Sequence, residues 1–116
     1  MLRDADRVST SLVSYAECRS TLAAAVRRRR ITAREARKGV DALQEVWTSF
    51  DRLAVSEAIV RHAGDLAERR ALRGFDAIHL ASALAQAPEV VMACWDEQLA
   101  RAARAEGLPV VPESGR

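Results

Sequence analysis

Apolar residues recur along the chain at helical spacing in five stretches, with short extended runs between them. The clearest stretch holds Ala33, Ala36, Val40, Leu43, Trp47 and Phe50, three or four residues apart, on one face of an amphipathic helix. Thr32 and Glu35 open that helix as a capping box. Before it, residues 7–13 read as a short strand running directly into a helix from about Ser14 to Arg29. Tyr15, Cys18, Leu22 and Ala25 form its core stripe, leaving Glu17 to one side in the first turn. A brief strand is predicted near Arg52–Val55. Ser56 then caps a helix running to about Arg70, with Ile59, Ala63 and Leu66 facing inward and His62 at the surface.

Gly74 is read as the stop of that helix. The next spans about Phe75–Ala85 and gathers Ala77, Leu80, Ala81 and Leu84 on one apolar face. Pro88 ends helical structure, and Glu89–Cys94 is the apolar run expected of a strand buried on both faces of a parallel sheet. Asp96 is placed to cap a helix over Glu97–Glu106, which Gly107 terminates. Leu108–Val111 is a last strand that Pro109 confines to an edge, and Pro112–Arg116 is read as a frayed tail. Alternation of strand and helix points to a parallel α/β sheet.

The 116 residues suit one domain with a single core. With 49% hydrophobic and 29% charged residues, the chain is too apolar for disorder. A net charge of +2 does not announce a nucleic-acid binder. Lys38 is the only lysine, and arginine suits bidentate phosphate contacts, although an Ala- and Arg-rich composition can equally reflect codon bias. Arg27, Arg28, Arg29 and Arg30 form a basic run at a helix end. Cations there suit the negative end of the helix dipole, and guidance of RNA phosphates is the sharper alternative. Cys18 and Cys94 lack the spacing of a zinc site or a disulfide framework and read as reduced, buried thiols. Neither a signal peptide nor a membrane-spanning run is evident, which points to a soluble, cytoplasmic protein.

Three acids carry candidate chemistry. Asp76 falls in the first turn of a helix, where a carboxylate caps free N–H groups and is favoured by the dipole; His79 follows one turn later on the same flank. Taken alone, that pair reads as a capping acid above a core helix. Glu17 and Asp96 each follow a predicted strand and begin a helix, the edge at which open α/β sheets assemble ligand sites.

The run Arg73-Gly-Phe-Asp-Ala-Ile-His-Leu-Ala-Ser-Ala-Leu84 closely resembles the signature of PIN-domain ribonucleases, particularly VapC-type toxins. Val13–Leu22, carrying Glu17, resembles that family's second acidic motif, and Trp95–Leu108, carrying Asp96, resembles its last. The resemblance implies a PIN-like parallel sheet of about four short strands flanked by about five helices, formed as a single domain over residues 1–116. It implies a metal-dependent endoribonuclease of a toxin–antitoxin system, with Glu17, Asp76 and Asp96 as catalytic metal ligands. Mg²⁺ or Mn²⁺ suits such an oxygen-only site. RNA would be the substrate, a small antitoxin the cognate partner and a homodimer the assembly, burying part of the helices between about Ser14 and Phe50. His79 would support the site, although a core role serves it equally.

Two departures accompany the resemblance. Cys94 stands where the family usually places Thr or Ser, and a thiol is a poor hydrogen-bonding substitute. The family also opens with an apolar strand ending in Asp. No such run precedes Asp4 or Asp6, so that first, central strand is expected to be missing from this sequence, with Leu2–Arg7 read as a helix end. These departures favour an alternative, a catalytically silent PIN-like module that dimerises or binds antitoxin. A third possibility is an unrelated helical interaction domain whose acids are only caps.

Overall fold

The computed structural model describes residues 8–112. Asp4, Asp6, the helix end read at Leu2–Arg7 and the tail read at 113–116 lie outside the described residues. The chain divides at Ala54/Val55 into two compact units.

In the first unit, strand β1 (Ser9–Ser11) leads into helix α1 (Val13–Arg27), followed by α2 (Ala33–Trp47) and β2 (Asp51–Leu53). β1 and β2 are parallel, with Ser9 opposite Asp51 and Ser11 opposite Leu53. Thr32 and Glu35 close the capping box in both directions, at 3.0 and 2.8 Å. Along α2, Val40 is buried, and Ala36, Leu43, Trp47 and, just beyond the helix, Phe50 are half-buried; Ala33 remains exposed. α1 approaches α2 closely at Gly39, where a Cβ would meet Leu22 Cδ2 at 3.0 Å.

Cys18 is exposed, against the expected core stripe of α1. No residue of α1 is fully buried, because packing on α2 covers only a narrow strip of it. Glu17 also lies one turn into α1 and not in its first turn.

The second unit comprises α3 (Glu57–Arg70), α4 (Gly74–Leu84), β3 (Met92–Ala93), α5 (Glu97–Ala105) and β4 (Val110–Val111). β3 and β4 are parallel, with Met92 opposite Val110. Ala77, Leu80 and Ala81 of α4 are wholly buried against Ala63 and Leu66 of α3 and against Leu99, Ala102 and Ala103 of α5. Burying a leucine of this kind contributes roughly 1.5–3 kcal/mol. The chain is thus α/β, with five helices and four short strands in two parallel pairs among the described residues. None of these helices is long and apolar enough to cross a membrane.

β3 is shorter than the expected Glu89–Cys94 strand and is not buried on both faces. Val90 and Met92 pack on the core and Cys94 lies within it, whereas Val91 and Ala93 point outward. The two-residue alternation of an extended chain sends every second side chain away from the one core available to it.

Three helices end in the same way, and only one of them uses glycine. Gly107 (φ 94°) follows α5, and the Leu108 N–H donates back to the Ala103 carbonyl. Ala71 (φ 55°) closes α3, with the Leu72 N–H donating to Ala67, and Arg29 (φ 61°) closes α1, with the Arg30 N–H donating to Ala25. These are left-handed helix stops with a bond spanning five residues. Gly74 therefore does not stop α3: Ala71 does, and Gly74 is the first residue of α4.

The α3–α4 turn is fastened to α5 from both ends of that helix. Gln98 Nε2 donates to the Ala71 carbonyl at 2.6 Å. Glu106 Oε2 accepts from Arg70 Nε at 2.8 Å and from Arg69 Nη2 at 3.0 Å. Hydrogen bonds from Arg69 and then Arg70 hold the Glu106 carboxyl below the usual glutamate range.

Two expectations follow. Ala71→Gly should stabilise the protein by about 1 kcal/mol by relieving the left-handed backbone of a residue bearing a Cβ, read as a raised urea midpoint. Glu106→Gln should cost about 1 kcal/mol near neutral pH, since solvent screens this partly exposed cluster. Because the folded-state pKa is depressed, that stability is complete above the ordinary glutamate pKa and is lost as pH falls through the lowered value. Denaturation curves of parent and variant should therefore converge in acid.

Candidate functional site

The fastening of α5 to the α3–α4 turn sets the starts of α4 and α5, and each start carries an acid. Asp76 is the third residue of α4, its side chain 21% exposed, and Arg73 Nη2 lies 3.4 Å from its Oδ2. Asp96 caps α5, its Oδ2 accepting from the Leu99 N–H at 2.8 Å, as the sequence predicts. Both carboxylates stand at helix N-termini, where the dipole favours negative charge.

Cys94 lies two residues before Asp96. Its buried Sγ donates to the Asp96 backbone carbonyl at 3.4 Å. Burial pushes the thiol pKa up; the hydrogen bond opposes this, and the Asp96 and Asp76 carboxylates both push it up further. The thiol therefore stays protonated at neutral pH.

A carboxylate offers only oxygen donors and suits a hard divalent cation, which is commonly held by one or two carboxylates with water completing its shell. Among the described residues of this unit, no three His, Cys, Asp or Glu side chains form a group that could hold a metal ion. His79 is half-buried on α4, one turn beyond Asp76. Glu17 belongs to α1 of the first unit and is half-buried there. Arg27 to Arg30 are all exposed, with Arg27 the last residue of α1 and Arg29 forming its left-handed stop.

Sequence reasoning passed over three groups near the acids. Arg73, immediately before α4, presents an exposed guanidinium to Asp76. Phe75 and Trp95 directly precede Asp76 and Asp96 and are 56% and 79% exposed. The repeated aromatic–Asp pair was a visible signal, masked because large apolar residues are ordinarily assigned to a core.

Alongside an acid at the start of each of α4 and α5, the chain shows similarity to known proteins over most of its sequence. The PIN domain model matches residues 1–105, and the chain belongs to the PIN-domain family. Its relatives mark it as a PIN protein of the VapC type. Ribonuclease VapC45 of Mycobacterium tuberculosis (strain CDC 1551 / Oshkosh) is 39% identical over 108 residues, 92% of this chain and 75% of the relative. Ribonuclease VapC49 of Mycobacterium tuberculosis (strain ATCC 25618 / H37Rv) matches to the same extent.

Proposed function

We propose that this chain is a divalent-metal-dependent endoribonuclease of a toxin–antitoxin system, cytoplasmic and acting as one PIN domain, with Glu17, Asp76 and Asp96 as ligands for Mg²⁺ or Mn²⁺. The observation that carries it is the PIN-domain match over residues 1–105, in a chain 39% identical to two proteins named ribonucleases and with Asp76 and Asp96 at the starts of α4 and α5.

Asp76 and Asp96 supply oxygen ligands held at helix starts, and the Leu99 N–H fixes the direction of the Asp96 carboxylate. Bound there, the cation would lower the pKa of a water and stabilise charge building on phosphate oxygens. Glu17 adds a third carboxylate, and His79 steadies α4 beneath Asp76. Arg73 offers a guanidinium to a phosphate, and Arg27 to Arg30 guide the RNA backbone. A small antitoxin is the natural partner. One observation favours a second reading, a silent module that binds antitoxin without cleaving: the group beside Asp96 is the weakly donating thiol of Cys94 in place of a hydroxyl.

Asp76→Asn keeps volume and much of the capping ability while deleting charge. It should lower Mg²⁺- or Mn²⁺-dependent cleavage of RNA by about 100-fold or more while leaving the circular dichroism spectrum unchanged. Cleavage by Asp76→Asn at the parental rate, or cleavage by the parent that survives EDTA, contradicts the metal-ligand role. No cleavage by the parent with either metal leaves the silent module.

Homodimerisation through α1 and α2 is also proposed, supported by the exposed Val46 and the half-buried Trp47 and Phe50. Light scattering at high micromolar concentration should give twice the chain mass. A monomer there excludes the dimer.

A further inference from the structure

The chain has five aromatic residues: two Trp, two Phe and one Tyr. Three of them are spent on each other in the first unit, with Tyr15–Trp47 ring centroids 5.3 Å apart and Trp47–Phe50 centroids 6.3 Å apart. The other two, Phe75 and Trp95, are exposed, and each immediately precedes one of the candidate acids, Asp76 and Asp96.

A single exposed aromatic needs no explanation. Two placed alike, each directly before an acid at a helix start, do. Consecutive Cα atoms are about 3.8 Å apart, so each ring is within a nucleotide's reach of a carboxylate. The surroundings of Trp95 separate a base from a protein partner. Asp96, Glu97 and Gln98, which follow it, are all exposed, so the indole is bordered by polar side chains. Cores of protein interfaces are depleted in charge, whereas a stacked base needs one open ring face and tolerates polar neighbours. Arg73, beside Asp76, adds a cation within the same stretch.

We propose that Trp95, aided by Phe75, stacks on unpaired bases of single-stranded RNA and thereby holds the backbone phosphate at Asp76 and Asp96. This deepens the ribonuclease reading and rests on it for the identity of the site. Stacking is indifferent to which base is present, so these rings set the preference for unpaired RNA, and sequence choice lies elsewhere.

The test uses the full chain and a short fluorescein-labelled single-stranded RNA of mixed sequence. Binding is read by anisotropy in EDTA and in Ca²⁺, and cleavage is read separately in Mg²⁺ and Mn²⁺. Trp95→Leu should weaken binding about tenfold and raise KM in proportion with little change in kcat, whereas Trp95→Phe should retain most of the affinity. The same RNA annealed into a duplex should bind parent and Trp95→Leu alike. Trp95→Leu with parental affinity and KM overturns the proposal and leaves the indole to a protein partner, while the ribonuclease reading stands. A parent that binds this RNA under neither condition also overturns it. Binding lost in Trp95→Leu and restored in Trp95→Phe, with no cleavage in either metal, supports stacking and removes the nuclease reading.

Discussion

The amide of Gln98 on the carbonyl of Ala71 holds the candidate site together. A helix leaves its last carbonyls without intrahelical partners, and a left-handed stop satisfies only some of them. At the end of α3 the Ala71 carbonyl is met from the first turn of α5 by Gln98, while Glu106, just past the other end of α5, accepts from the Arg69 and Arg70 side chains. Since α4 begins just after Ala71 and Asp96 lies just before Gln98, one fastening sets where both acids start.

With the helix starts so placed, electrostatics follows. Neighbouring carboxylates repel unless a cation, a proton or oriented dipoles offset them. Asp76 and Asp96 each have a helix N-terminus, Asp96 has the Leu99 N–H, and Asp76 has Arg73. Cys94 contributes little, because its buried thiol stays neutral and directs its one proton to a backbone carbonyl. Each carboxylate is thus offset where it stands, with an exposed aromatic residue directly before it in sequence.

The boundary between what is local and what is tertiary runs through individual residues. Thr32 with Glu35, Ser56 and Asp96 cap their helices as their spacing dictates, since each cap bonds an N–H three residues on. The apolar stripes of α2 and α4 were legible for the same reason: periodicity alone decides which side chains share a face. So were the α/β class and the stop at Gly107.

Other features were written by packing. Ala71 and Arg29 adopt a left-handed backbone that no local preference would choose for them, imposed where the chain must turn at once into its next element. Cys18 is exposed and β3 is open on one side, because hydrophobicity states what a residue favours and not what is present to cover it. Gln98 finds Ala71 across 27 residues, and Arg69 finds Glu106 across 37. The sequence by itself determined the elements and their caps; only tertiary structure decided which helix ends meet, because bonds over such separations exist only after the core has closed.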